Sequence, residues 1–498
     1  MHRSTTLIGA VALVFLLFKV LRFTTLGYTF NDMYAFLQMS YSWLDGRPFM
    51  YDNIWGFHHR IHNYYTVLLW GPLCYVAGAY GFFLVQALLL GLSYAVLNER
   101  LAREVPPWVR YGLLVAVLLG PVSFWLNDHP NIGWHTELTY LPAAILFALA
   151  LTGTRLWPKL LSGLAVVLVK EDGAVLAALI HLAYSGIQFV RRQPARSLLW
   201  WLGSRSFWLI AVGWSLVFLA GMWWISFKNN FAEPRLRMAL QLVADHIATW
   251  NFWKQMLTLM AQTALLLVPV PALLLYWQWV NRIRKQGNVW LLYGAGIAVL
   301  TALNFVQSAH YYGQPLFHLV ALTWPPRFVL LWAFSVAFLI LFATGFAPLL
   351  KPDQGKSPWL VMAVLFLIQI PILYGTRPDF PTLKDWAATL RGRFGTDKNS
   401  IWLHPDDLAV VQCLAGQLPA HSSVLAFDYL VPYFHRHYGI WPTGNELKPA
   451  DMAIIPNADP QGLRTAPGFP KTYRQIPLKA YTVYVAPAYE AIARSCLR

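Results

Sequence analysis

Long apolar runs separated by short polar loops constrain this chain more than any other feature of its sequence. Runs such as 7–20, 113–126 and 359–374 recur along most of the 498 residues, of which 57% are hydrophobic and 12% are charged. Soluble domains carry about 25% charged residues. A helix needs about 20 mostly apolar residues to cross a bilayer. The pattern therefore predicts a mainly α-helical, polytopic membrane protein.

The apolar runs predict about eleven membrane-spanning helices. Their predicted ranges are 5–23, 82–98, 107–126, 138–153, 159–176, 177–190, 207–226, 257–280, 288–305, 328–349 and 357–375. The segment 64–80 is apolar but is interrupted by Gly71, Pro72 and Gly78, so we interpret it as a juxtamembrane or re-entrant helix on the outer side. No small-residue cleavage site follows Arg22, and we interpret the first run as a retained helix rather than a signal peptide.

The loops between these runs differ in charge. One set, together with Arg3, carries 15 Lys and Arg residues against 3 acids, whereas the other set up to residue 318 carries 7 against 9. Cytoplasmic loops are enriched in Lys and Arg. The asymmetry predicts a cytoplasmic N-terminus and an extracytoplasmic C-terminus. It also accounts for the net charge of +16 without a nucleic-acid partner.

The composition changes after residue 375, where charged residues, prolines and turn residues return. We predict a transmembrane domain over 1–375 and a small soluble α/β domain over 376–498, with strands near 423–427, 452–455 and 481–486 and a helix over 408–418. Cys413 and Cys496 both lie in this second domain. A disulfide between them would require an oxidising compartment, and the sequence leaves the pairing open.

Asp32 is the first candidate for chemistry, in a long outer segment over 24–63. A carboxylate can accept the proton of a hydroxyl group that becomes a nucleophile. The alternative is structural, because Asn31 or Asp32 would also cap a juxtamembrane helix over 33–44.

Lys170-Glu171-Asp172 forms the second candidate site, because three consecutive ionisable residues interrupt an apolar run. Charged groups at membrane depth are costly and usually face a cavity or pair with each other. Lys170 could hold a phosphate, whereas Glu171 and Asp172 could bind a sugar hydroxyl or a metal. The alternative is a structural salt bridge at a helix turn.

Arg327 follows two prolines at the start of an apolar run and is suited to a bidentate phosphate contact. Lys19 and Arg22 could assist the same charge. The alternative for Arg327, and the preferred interpretation of Lys19, is snorkelling to the membrane interface.

Polar and aromatic side chains of the outer loops are candidate substrate contacts. They are Gln38, His58, His59, His62, Asp128, His135, Glu137, His310 and Tyr311. A zinc or manganese site built from His58, His62, His135 and Glu137 is a weaker hypothesis, because their spacing matches no specific metal motif. No phosphate-binding loop of the G-x-x-x-x-G-K type occurs in the sequence, so we expect no nucleotide cofactor.

Four short stretches occur in an order and spacing that resemble the GT-C superfamily of polytopic glycosyltransferases. Within it, they are most similar to a family of predicted membrane proteins of unknown function. The stretches are Phe30-Asn31-Asp32 with Gln38 and Gly46-Arg47-Pro48-Phe49; Trp134-His135-Thr136-Glu137; Val169-Lys170-Glu171-Asp172; and a tail with Leu418-Pro419, Ser423-Val424, Arg436 and Ala450-Asp451. Gly133 departs from the family pattern, which has an Asp there; Asp128 could replace that carboxylate, or it is dispensable.

The resemblance implies an enzyme of the bacterial inner membrane with its C-terminal domain in the periplasm. Such enzymes transfer a sugar from a polyprenyl-phosphate donor to a glycan, lipid or protein acceptor, usually with inversion. The resemblance implies that Asp32 is the base and that Lys170 and Arg327 neutralise the leaving phosphate. Two other classes of function stay open: a transporter or flippase for lipid-linked glycans, and a non-catalytic envelope assembly protein.

Overall fold

The structure is a computed structural model. It describes residues 2–24, 28, 32–53, 56, 60, 62–128, 132–193, 198–228, 241, 244–281, 287–312, 325–350, 358–376, 405–427, 430–437, 439–442, 450–457, 462–465, 469 and 472–497.

The described part is mainly helical. The helices are α1 His2–Thr24, α2 Asp32–Tyr41, α3 Thr66–Ala77, α4 Ala79–Glu104, α5 Pro107–Tyr111, α6 Pro121–Asn127, α7 Tyr140–Thr152, α8 Leu156–Val167, α9 Gly173–Arg192, α10 Leu198–Leu202, α11 Arg205–Lys228, α12 Trp250–Leu267, α13 Pro269–Val280, α14 Gly287–Tyr312, α15 Pro325–Gly345, α16 Pro358–Leu367, α17 Gln369–Thr376, α18 Pro405–Gln417 and α19 Glu490–Ser495. A π-helical segment, Gly112–Leu118, continues α5.

Six helices are long and apolar enough to cross a membrane within the described part, or up to eight if two bent pairs each count as one span. The multi-pass character of the chain is therefore supported, but the prediction of eleven spans is not confirmed. Three predicted spans, 138–153, 159–176 and 288–305, correspond to shorter apolar helices: Thr136–Thr152, Leu156–Val167 and Asn288–Asn304. The segment predicted to be juxtamembrane contains α3, whose 12 residues measure about 18 Å and cannot cross a hydrocarbon core of about 30 Å alone.

The predicted boundary between the spans 159–176 and 177–190 is wrong. The chain turns earlier, at 168–172, between α8 and α9. The ionisable residues Lys170, Glu171 and Asp172 occupy this turn. A side chain at Gly173 would overlap the backbone carbonyl of Val166, so glycine permits the close approach. The apolar run continues in sequence, but its charged residues leave the helix and enter a polar cluster.

α15 lies at the centre of the helical domain, since 94% of an 18-residue apolar stretch of this helix is buried. It packs against α7, α9 and α14, and a Cβ at Gly296 of α14 would overlap the ring of Phe334. α11 lies at the periphery instead, since only 6% of its corresponding 18-residue apolar stretch is buried. Its apolar side chains face outward, as expected for a helix solvated by lipid.

The C-terminal domain contains a five-stranded mixed sheet in the order β2-β1-β3-β5-β4. The strands are β1 Ser423–Ala426, β2 Gly439–Pro442, β3 Met452–Pro456, β4 Arg474–Pro477 and β5 Tyr481–Val485. Three of them and α18 were predicted from the sequence, whereas β2 and β4 were missed. A disulfide joins Cys413 of α18 to Cys496 after α19. The predicted domain boundary falls where α17 ends, next to residues outside the described part.

Candidate functional site

Two cations and two carboxylates meet in a buried cluster at the beginning of α7, α9 and α15. Lys170 Nζ lies 2.6 Å from Glu137 Oε1 and 3.5 Å from Asp172 Oδ2. Arg327 Nη1 lies 3.5 and 3.8 Å from the same two oxygen atoms, and the hydroxyl of Tyr140 donates to Asp172. The opposite charges balance, which makes their burial tolerable. The structural salt bridge considered for Lys170 is therefore present, and it includes Arg327.

Glu171 extends this cluster toward residues 62 and 63, which precede α3. Its Oε1 lies 2.7 Å from His62 Nδ1, and its Oε2 accepts a hydrogen bond from the backbone N–H of Asn63. The N–H of Thr66 donates to the carbonyl of Leu168, at 2.9 Å, so the backbone also joins the two segments. The turn before α9 therefore has two roles. Asp172 belongs to the charge cluster, and Glu171 binds the 62–66 segment.

Asp32 and His135 lie face to face at the edge of this network. Asp32 is the first residue of α2, and its Oδ2 lies 3.7 Å from His135 Nε2. The backbone N–H of Glu137 donates to His135 Nδ1, which leaves the proton of a neutral imidazole on Nε2, facing the carboxylate. The ring is held against Phe36 and Tyr64 by edge contacts. A neutral His135 therefore carries its N–H on the ring nitrogen nearest Asp32.

Exposure distinguishes Asp32 from the other carboxylates of the region. Its side chain is 21% exposed, whereas those of Glu137 and Asp172 are 2% exposed and that of Glu171 is buried. A substrate could reach Asp32 without opening the cation cluster. An acid in the first turn also stabilises α2 through the helix dipole, so the structural and chemical interpretations of Asp32 are compatible.

Asp128 belongs to a second buried cluster around Lys19. Arg22 Nη1 lies 3.4 Å from Asp128 Oδ2, and the Tyr28 hydroxyl donates to Oδ1 at 2.5 Å. Lys19 is fully buried, and it donates to the backbone carbonyls of Asn127 and Gly133 at 2.8 and 2.6 Å. The snorkelling predicted for Lys19 is wrong, because the lysine points inward to these carbonyls. It holds both ends of the segment that leads to His135.

We predict that Lys19→Met will loosen segment 127–135 while Arg22 and Tyr28 still hold Asp128. The buried Gly133 carbonyl would lose its lysine donor, and the Asn127 carbonyl would keep only the hydrogen bond from Gln86, at a cost of about 1–3 kcal/mol. Hydrogen exchange measured by mass spectrometry should show faster exchange in this segment than in the native protein. Lys254→Met, at an exposed position of α12, serves as the matched control. Unchanged exchange at 127–135 would contradict the role of Lys19.

Gln38 contacts the C-terminal domain in the structure. Its Nε2 donates to the backbone carbonyls of His435 and His437, and its Oε1 accepts from the N–H of Asn53. Tyr34, one turn away on α2, is part of the hydrophobic core of the C-terminal domain. The helix that begins at Asp32 is thus held by both domains. The sequence predicts that Gln38 contacts substrate, whereas in the structure these hydrogen bonds give it an interdomain contact.

His435 is a neutral histidine at this interface. Burial lowers its pKa to about 3, and the nearby positive charges of Arg436 and Arg47 act in the same direction. The Tyr41 hydroxyl contacts its ring and donates to its backbone carbonyl. Gly78 lies against the ring, where a Cβ would come within 2.8 Å of Nε2. The packing therefore leaves little room for a hydrated imidazolium.

We predict that acidification will weaken this docking. Neutral His435 stabilises the interdomain contact fully above the ordinary histidine pKa of about 6.5. This stabilisation is lost as pH falls toward 3, by up to about 1.4 kcal/mol for each pH unit. Hydrogen exchange of residues 430–437, corrected for its intrinsic pH dependence, should rise below pH 6.5. His435→Gln should flatten this dependence. A native profile that is already flat between pH 7 and 4.5 would refute the prediction.

The remaining candidates lie outside the described part. His58 and His59 are outside the described residues, as are the side chains of His310 and Tyr311 in α14. Among described residues, no group of three or more His, Cys, Asp or Glu side chains could hold a metal ion. His62, His135 and Glu137 have the protein partners given above.

The chain was compared with protein-family models, with curated proteins and with solved structures, and none of them matches.

Proposed function

We propose that this protein is an integral membrane glycosyltransferase of the GT-C type. It transfers a sugar from a polyprenyl-phosphate donor to an acceptor hydroxyl of a glycan, lipid or protein. The observation that carries the proposal is the position of Asp32, a reachable carboxylate facing the His135 N–H beside a buried cluster of paired charges. Base catalysis needs such a carboxylate, and a leaving phosphate needs cations nearby.

In the proposed reaction Asp32 accepts the proton of the acceptor hydroxyl. The acceptor oxygen forms a bond to the anomeric carbon of the sugar, with inversion. The bond from that carbon to the phosphate oxygen breaks, and its electron pair stays on the lipid phosphate. His135 orients the Asp32 carboxylate, and the Glu137 backbone holds the imidazole in the required tautomer.

Arg327 and Lys170 are the proposed partners of the donor phosphate. Arg327 is the more accessible of the two, with 10% of its side chain exposed, whereas Lys170 is buried. Arg327 also lies in the first turn of α15, where the helix N-terminus favours a phosphate group. We therefore assign the direct contact to Arg327. Lys170 compensates Glu137 and Asp172 when Arg327 turns to the phosphate.

The proposal places the enzyme in the bacterial inner membrane, with its N-terminus in the cytoplasm and Asp32 and the C-terminal domain in the periplasm. The loop charges support this orientation. The Cys413–Cys496 disulfide supports it independently, because such bonds persist in oxidising compartments. A lipid-linked donor at that face would require no nucleotide.

We predict that Arg327→Gln will weaken binding of polyprenyl phosphate by about tenfold, because it removes a charge-assisted contact. Binding can be measured by native mass spectrometry of the protein in detergent. The matched control is Arg155→Gln, at an exposed position before α8. Equal binding by all three proteins would exclude Arg327 from the phosphate site.

The donor class can be tested by extracting lipid from the purified protein and identifying it by mass spectrometry. We expect polyprenyl phosphate or its sugar ester, enriched over another multi-pass protein from the same membranes. Bulk phospholipid alone would contradict the proposed donor. In vesicles, movement of a lipid-linked sugar between leaflets without sugar transfer would support a flippase instead.

A further inference from the structure

Three helices that begin at the buried charge cluster, together with α4, end at a polar cavity. Glu137 lies just before α7, Asp172 just before α9 and Arg327 in the first turn of α15, whereas α4 begins beside the interdomain contact at Gly78. The C-terminal ends of the same helices surround a cavity of about 440 Å³. Its lining includes Arg100 and Glu104 of α4, Thr152 of α7, Arg191 of α9 and Thr344 of α15.

The cavity is separated from the cluster by most of a membrane thickness. Arg327 and Thr344 are 17 residues apart on α15, which corresponds to about 25 Å of helix. The hydrocarbon core of a bilayer is about 30 Å thick. The cluster and the cavity therefore lie near opposite faces of the membrane, so the cavity is separate from the proposed catalytic site.

The cavity offers both cations and hydrogen-bond acceptors. Arg100 and Arg191 contribute two guanidinium groups, and Arg100 Nη2 lies 2.7 Å from Glu104 Oε1. The Nε atom of Arg100 is buried and has no hydrogen-bond partner among the described residues. The hydroxyls of Thr152 and Thr344 donate to carbonyls of their own helices, which leaves their oxygens free to accept from a ligand.

We propose that this cavity binds the headgroup of a membrane phospholipid that carries a phosphate and a hydrogen-bond donor. The arginines match the phosphate, and basic pockets between membrane helices are known headgroup sites. Glu104, the threonine oxygens and the helix C-termini match a hydroxyl or amine, since helix C-termini carry partial negative charge. These acceptors disfavour a bare phosphate ion. A choline headgroup would satisfy the arginines but has no donor for the acceptors.

The test uses the full-length protein in detergent and measures lipid binding by native mass spectrometry. The probes are phosphatidylglycerol, phosphatidylethanolamine, phosphatidylcholine and inorganic phosphate, at matched concentrations. We expect the first two lipids to bind about tenfold more tightly than phosphatidylcholine. Arg191→Gln should weaken their binding by about the same factor. Arg155→Gln, three residues after the cavity residue Thr152, should not weaken it.

Thr344→Val supplies a second variant that keeps the side-chain shape. It removes one acceptor and should reduce the preference for phosphatidylglycerol and phosphatidylethanolamine over phosphatidylcholine. The proposal fails if the native protein binds the three lipids equally, or if Arg191→Gln and Thr344→Val bind as the native protein does. Competition by inorganic phosphate at equal concentration would instead indicate a soluble anion site. None of these measurements depends on glycosyltransferase activity.

Discussion

Replacing Asp32 with asparagine is expected to lower the rate of sugar transfer by about 10²–10⁴-fold, the contribution that a general base typically makes. The amide cannot accept the acceptor's proton, but it has nearly the shape of the carboxylate. It can still face the His135 N–H, so we expect α2 and its contacts with the C-terminal domain to stay folded. The rate can be measured with a radiolabelled sugar on a polyprenyl phosphate.

Asp45→Asn is the matched control for this variant. Asp45 follows the same helix, α2, and pairs with Arg47 at 2.5 Å, away from the His135 contact. This control should retain transfer activity. Hydrogen exchange of α2 should be equal in the native protein and in Asp32→Asn. Transfer by Asp32→Asn at a rate within twofold of the native protein would remove the base from the mechanism.

Lys170→Met is expected to cause the largest loss of stability, about 3–5 kcal/mol. Lys170 is buried and lies against Glu137 and Asp172, so its removal leaves Arg327 as the remaining cation for both carboxylates. Methionine keeps most of the side-chain volume, and the loss should therefore come from charge rather than from a cavity. Thermal unfolding of the purified protein in detergent measures the change.

A control and a rescue make this prediction specific. Lys159→Met, on neighbouring α8 and only half-buried, should change stability by much less. Adding Glu137→Gln to Lys170→Met should restore part of the loss, because it removes one uncompensated charge. If Lys170→Met is as stable as Lys159→Met, the cluster does not depend on charge compensation.

The sequence identified the ionisable groups of the cluster but could not show which of them pair. Lys170, Glu171 and Asp172 interrupt an apolar run, and the cost of burying charge makes that interruption informative. Glu137 is 33 residues from Lys170, and Arg327 comes from a third helix. Their convergence depends on how α7, α9 and α15 pack together, which hydrophobic patterns of single helices do not specify.

The contacts of Lys19 and Gln38 also could not be predicted from the sequence. A lysine near the end of an apolar helix is consistent with snorkelling, and only the positions of the Asn127 and Gly133 carbonyls show that it points inward. Gln38 binds carbonyls about 400 residues away, in the C-terminal domain. The strands β1, β3 and β5 were predictable because they are short runs rich in apolar and β-prone residues. β2 and β4 each end in a proline, and β4 also contains Arg474 and Gln475, so both are too short and interrupted to give that signal.

The most direct test of the account is sugar transfer by the purified native protein in vesicles. A radiolabelled polyprenyl-phosphate sugar would be supplied with membrane-derived acceptors and without nucleotide. The account predicts that label moves to the acceptor and that unlabelled polyprenyl phosphate is released in equal amount. Transfer from a nucleotide sugar but not from the lipid donor would contradict it.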